Sequence, residues 1–122
     1  MSSDDFVASI KFDTDGLIPA IAQQHDSGEV LMMAWMNSEA VSRTLSSGHA
    51  TYWSRSRKAF WVKGEASGHT QKLIDFRVDC DRDCLLMLVE QTGPACHTNR
   101  QSCFYRSFIS GDEIELMVPV AD

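Results

Sequence analysis

The sequence predicts an α+β domain, built mainly of antiparallel β-strands with few helices. Three observations carry this. Short runs with period-two alternation recur along the chain, as in Lys72–Cys80. Turn signals such as His25-Asp26-Ser27-Gly28 stand between them. One segment, Asn37–Gly48, combines a capping residue, an apolar face and a closing glycine. At 122 residues the chain fits a single domain, 1–122, large enough to bury a core without staples. Its 43% apolar and 23% charged residues are ordinary for a globular protein.

Residues 1–15 read as an irregular start. Leu17–Gln24 and Glu29–Met36 read as two strands joined at the His25–Gly28 turn. Asn37 or Ser38 can cap a helix running to about Ser47, with Ala40, Val41 and Leu45 on its buried face and Gly48 ending it. Thr51–Trp53 and Phe60–Val62 read as strands flanking a basic segment, followed by a glycine-containing turn over Glu65–His69. In Lys72–Cys80, alternation puts Ile74, Phe76, Val78 and Cys80 on one face, and Asp75, Arg77 and Asp79 on the other. Leu85–Val89 reads as a buried strand, and Gly93-Pro94 as a break. Phe104–Ile109 reads as a further strand, and Glu113–Val120 as a weakly alternating one.

The net charge of -6 argues against general nucleic-acid binding. Local charge differs: Arg55, Arg57, Lys58 and Lys63 lie in a segment without acids that can hold a phosphate or simply be a solvated loop. No apolar run is long enough for a transmembrane helix, and the acidic N-terminus lacks a signal-peptide core. The expected compartment is therefore the cytoplasm. There the four cysteines favour metal binding or chemistry over disulfides.

The densest chemistry lies in Asp79-Cys80-Asp81-Arg82-Asp83-Cys84, with Cys96 and Cys103 further on. Three thiolates, Cys80, Cys96 and Cys103, leave a fourth tetrahedral position for water, the pattern of catalytic zinc; unrelated buried cysteines are the alternative. Cys84 either closes an inert four-cysteine centre or packs beside Leu85 and Leu86, the reading favoured here. His97, next to Cys96, is a candidate for proton transfer. Asp79, Asp81 and Asp83 suit a Mg²⁺ that keeps some waters, against the alternative of a solvated acidic turn. If the strand persists through Asp83, these carboxylates point one way and Cys80 the other.

Glu29–Asn37, Trp53–Arg57, Lys63–Gly68, Asp79–Asp83, Gly93–His97 and Ser102–Tyr105 run in an order that resembles the phosphoribosyl-AMP cyclohydrolases of histidine biosynthesis, over roughly residues 16–108. The resemblance implies Zn²⁺ on Cys80, Cys96 and Cys103, and Mg²⁺ on Asp79, Asp81 and Asp83. It implies an intertwined homodimer in which Cys80 of one chain completes the zinc site of the other. Cys84 departs from the family pattern, which has a small residue there.

The implied activity is a hydrolase acting on a cyclic amidine C–N bond of the small molecule phosphoribosyl-AMP. Zinc-bound hydroxide would attack C6 of the adenine, the N1–C6 bond would break, and His97 would move a proton. Arg55, Arg57 and Lys63, with backbone from Gly64 and Gly68, are the candidates for holding phosphate, although Mg²⁺ could bridge one instead. Two other readings stand beside this one. A zinc nucleobase deaminase needs H-x-E and P-C-x-x-C signatures, which this sequence lacks. A zinc-stabilised binding module needs Cys84 to close the site.

Overall fold

The computed structural model describes residues 1–120, and its main sheet is made from two hairpins laid side by side. Strand β1 (Ile18–Gln24) alternates as its sequence requires, so that Ile18, Ala20 and Ala22 are fully buried. It pairs antiparallel with β2 (Val30–Met36) across the expected turn. The second hairpin joins β5 (Gln71–Val78) to β6 (Leu85–Gln91), where Leu85, Met87 and Val89 are fully buried. A parallel ladder from Ala20/Leu85 to Gln24/Val89 joins β1 to β6, giving the order β2-β1-β6-β5. Antiparallel pairing predominates, and the class is α+β.

Helix α2 (Ser38–Ser47) has the bounds its sequence predicts. Asn37 Oδ1 accepts the Ala40 N–H at 2.9 Å, and Gly48 ends the helix at φ 76°, where a Cβ is disfavoured. Thr44 accepts the Thr51 N–H at 3.0 Å, which ties the helix to the small hairpin of β3 (Thr51–Ser54) and β4 (Ala59–Val62). The same hairpin is tied to β5 by the fully buried Tyr52 hydroxyl, which donates to Gln71 Oε1 at 2.6 Å.

Several expectations are corrected. The irregular start contains helix α1 (Ser3–Ala8), opened by a reciprocal capping box between Ser2 and Asp5. Ile74 does not share the inner face. The β5/β6 register slips between Leu73 and Asp75, and this bulge leaves Ile74 49% exposed. Strand β5 ends at Val78, so Asp79–Asp83 is not a flat strand with two faces. The chain turns there, with Arg82 at φ 63° and its N–H donating to the Asp79 carbonyl at 3.0 Å. The next strand, β7, is Arg106–Ile109. Phe104 precedes it because its N–H is taken by Ser102 Oγ. The last strand, β8, covers only Asp112–Glu115.

Burial separates two positions that look alike in sequence. Met87→Ala should cost about 2–5 kcal/mol of stability by opening a core cavity. Ile74→Ala should change little, because its side chain is half in water already. Urea unfolding of the two variants checks this, and equal losses would contradict the bulge.

Candidate active site

The loop after β6 draws two cysteines together. Cys96 N–H donates to the Arg100 carbonyl at 3.1 Å and Ala95 N–H to the Gln101 carbonyl at 3.2 Å, so the chain closes on itself. Its far end is fastened to β2. Cys103 N–H donates to the Leu31 carbonyl at 2.7 Å, and the Ser102 hydroxyl to the Val30 carbonyl at 2.7 Å. The result brings the Cys96 and Cys103 thiols close enough to influence each other's charge. Thr98 Oγ1 lies 3.0 Å from Cys96 Sγ.

The two thiols are shifted in opposite senses. Desolvation raises Cys96, but the Thr98 hydroxyl and backbone, the Cys103 thiol and the Arg100 charge leave it below the ordinary thiol range. Cys103 is pushed up to about 11, first by desolvation and then by the charge and hydrogen bond of Cys96. The first negative charge of the pair therefore belongs to Cys96. Lys63 Nζ donates to the Ala95 carbonyl at 2.6 Å, close enough to feel both sulfurs. Burial lowers its ammonium below the ordinary lysine range, and the two cysteines oppose that shift.

The carboxylates converge at the other hairpin. Asp79, Asp81 and Asp83 each offer an oxygen, all within 4.8 Å of one another. Oxygens bound to one cation at about 2.0–2.6 Å must lie within about 5 Å of each other. Asp79 Oδ1 also accepts the Asp83 N–H at 2.9 Å and the Cys84 N–H at 3.2 Å, so this residue shapes the turn it lies in. A carboxyl hydrogen bond shared with Asp79 is the main cause that raises Asp83, followed by desolvation and repulsion from Asp79 and Asp81. The hard oxygens fit Mg²⁺ and the soft sulfurs fit Zn²⁺.

The remaining candidates are distributed as follows. Cys80 is exposed on the acidic turn before β6, whereas the thiol pair follows that strand. Among the described residues the Asp79, Asp81 and Asp83 trio is the only set of three such donors that converges, so Cys80, Cys96 and Cys103 do not meet within one chain. Cys84 is half-buried, and desolvation, then Asp79 and Asp83, raise its thiol. His97 is exposed beside Cys96. Arg55 and Arg57 lie in the β3–β4 turn, at the opposite end of that hairpin from Lys63. Gly64 is needed where it is: a Cβ there would meet the His69 carbonyl carbon at 2.4 Å. The Gly68 N–H donates to the Gly64 carbonyl at 2.8 Å, inside the turn.

A cleft of about 650 Å³ opens between β2 and the β3–β4 hairpin, with Trp35, Trp53, Arg55 and Trp61 in its walls. Sequence reasoning assigned no role to the tryptophans. An aromatic side chain carries no charge or ligand signal, and only the cross-strand pairing of Tyr52 with Trp61 hints at a platform.

Comparison with known proteins adds a specific likeness. The family model for phosphoribosyl-AMP cyclohydrolase matches residues 32–105. The phosphoribosyl-AMP cyclohydrolase of Paracoccus denitrificans is 71% identical over 92% of this chain and 93% of its own length. That of Jannaschia sp. is 70% identical over 92% and 94%. That of Ruegeria pomeroyi is 69% identical over 93% and 95%.

The two roles of the acidic turn are separable. Asp79→Ala should lower the melting temperature, because the Asp83 and Cys84 N–H groups lose their acceptor. Asp79→Asn, which keeps an amide oxygen, should lower it less, and Asp81→Ala should leave it near that of the parent. Thermal unfolding followed by circular dichroism distinguishes these outcomes.

Proposed function

The chain belongs to the phosphoribosyl-AMP cyclohydrolase family, and on that premise we propose that it hydrolyses the N1–C6 bond of the adenine ring of phosphoribosyl-AMP, a metal-dependent step of histidine biosynthesis. The observation that best supports this reading is the neighbouring Cys96–Cys103 pair with the Lys63 ammonium held beside it on the Ala95 carbonyl. Two clustered sulfurs at a loop edge form part of a soft-metal site and leave coordination positions open.

Cys96 and Cys103, with Cys80 of the partner subunit, would hold Zn²⁺, and Asp79, Asp81 and Asp83 would hold Mg²⁺. Bound on thiolates, zinc supplies the Lewis acidity that makes a water nucleophilic near neutral pH. The chain's own groups do the rest. The attacking oxygen ends as the carboxamide oxygen at C6, and N1 leaves with a proton that His97 delivers. Lys63 holds the Ala95 carbonyl and keeps a positive charge near the thiolates, which stabilises them. Arg55 and Arg57 bind phosphate by charge-assisted hydrogen bonds. Cys84 packs and does not ligate.

Two observations support a homodimer with a shared site. The three thiols do not converge within one chain. The β7–β8 hairpin also exposes large apolar side chains, with Phe108 and Ile109 each 72% accessible, as interaction surfaces do. Reduced thiols suit a cytoplasmic setting, and no helix among the described residues is long and apolar enough to cross a membrane.

The test is ultraviolet absorbance on mixing metal-loaded protein with phosphoribosyl-AMP, because ring opening changes the chromophore. Turnover is expected, and an unchanged spectrum would refute the proposal. Cys103→Ser should lose both zinc and activity, and Cys84→Ala should keep both. His97→Ala should keep zinc and slow ring opening by ~10²–10⁴-fold. Zinc analysis with steady-state rates reads all three.

The arginines give a separate expectation. Arg57→Ala should raise KM roughly 10-fold or more, the loss of a charge-assisted bond worth about 1.5–3 kcal/mol. Lys58→Ala, an exposed neighbour in the same turn, should stay within about 2-fold of the parent, because solvent screens it. Equal behaviour of the two variants would return the segment to a solvated loop.

A further inference from the structure

Three tryptophans border the cleft between β2 and the β3–β4 hairpin, but their faces are not equally available. Trp35 is covered by the Arg55 guanidinium, 4.6 Å from the ring centroid. Trp53 packs edge-on with Phe60 at 4.8 Å. Trp61 has one side on the Tyr52 ring, with centroids 4.7 Å apart and planes 32° from parallel. Tyr52 is fully buried and held by its 2.6 Å hydrogen bond to Gln71, so the support under Trp61 is rigid. The rest of the half-buried indole borders the main cleft and also an adjoining one of about 350 Å³ that Arg57 helps to line. Ser54 and Ser56 are common to both clefts, so the two form one groove with Trp61 at its middle.

The position along the hairpin matters as much as the open face. Trp61 and Lys63 are two residues apart, roughly 7 Å on an extended chain, and the Lys63 N–H continues the ladder by donating to the Ala50 carbonyl at 3.0 Å. They therefore project from the same side of the chain. Lys63 reaches the loop of the thiol pair. In the other direction β4 leads back to the turn that carries Arg55 and Arg57. Along one face the order is thus thiols, flat aromatic surface, guanidinium groups. A nucleotide has a matching order: the reacting edge of the base, the flat base, then a phosphate.

We propose that Trp61 is the stacking platform for the purine ring, a positioning and specificity residue that holds the base in the plane from which its C6 edge meets the thiol centre. This rests on the ring-opening reading above. Stacking on a preorganised indole is tolerant of ring substituents but requires a π-face on both partners. Trp61 therefore selects for a base, whereas the arginines select for phosphate.

The experiment compares Trp61→Phe and Trp61→Leu with the parent, using phosphoribosyl-AMP turnover and competition by AMP and by ribose 5-phosphate. Trp61→Leu should raise KM and the AMP inhibition constant by on the order of 10-fold or more. Its inhibition by ribose 5-phosphate, which lacks the base, should match the parent. Trp61→Phe should recover most of the AMP affinity. Zinc content and the melting temperature identify a variant that has lost the hairpin; if Trp61→Leu is that variant, AMP quenching of tryptophan fluorescence in the parent and in Trp61→Phe carries the test, and quenching equal in the two overturns the platform. An unchanged ratio of AMP to ribose 5-phosphate inhibition in well-folded Trp61→Leu overturns it as well. If the parent shows no turnover, AMP quenching of tryptophan fluorescence replaces the kinetics. Quenching that depends on Trp61 then upholds the platform although the proposed reaction has failed, and quenching that survives in Trp61→Phe and Trp61→Leu overturns it.

Discussion

The parallel ladder between β1 and β6 is the constraint on which the rest of the structure depends. It is the one contact that turns two independent hairpins into a sheet. Fully buried Ala20 and Ala22 on one strand face Leu85 and Met87 on the other, small against large. All four side chains lie in one buried cluster with Ala40 and Val41 of α2. The ladder also sets where the chemistry can be. The acidic turn enters β6 and the thiol loop leaves it, so one central strand orients both groups of candidate metal ligands.

Much of the framework was legible because its signals are local. The Asn37 cap, the Gly48 stop and the His25–Gly28 turn depend on residues within one or two turns of each other. What could not be read depends on distant partners. The parallel register joins residues far apart in the chain and leaves no mark in either segment. The bulge at Ile74 depends on what β6 offers opposite, and the alternation of β5 alone gives no hint of it. Helix α1 did leave a signal, Ser2 three residues before Asp5, but a six-residue helix has little periodicity to support it.

The candidate site divides along the same line. The aspartates stand out by charge and spacing, yet their convergence has a different cause from strand alternation. It comes from a turn with Arg82 in the left-handed region and Asp79 accepting two backbone N–H groups. The nearness of Cys96 to Cys103 follows from loop closure and from Leu31 on a separate strand. Lys63 looked like one of a basic cluster and is instead held at the thiols, because the hairpin puts it at the far end from Arg55 and Arg57. Neutral aromatic residues were silent in the sequence, and only the cleft shows what surface they offer.

The separation of the paired strands has a temporal meaning as well. Ala20 and Leu85 are partners 65 positions apart, and all of β2, α2, β3, β4 and β5 lies between them. Closing so long a loop carries an entropic cost that local hairpins do not face, so the central ladder belongs among the late events of folding. Until it forms, the acidic turn and the cysteine loop have no common frame. The chain therefore sets its acidic turn and its cysteine loop in their mutual positions late, after most of its local architecture is complete.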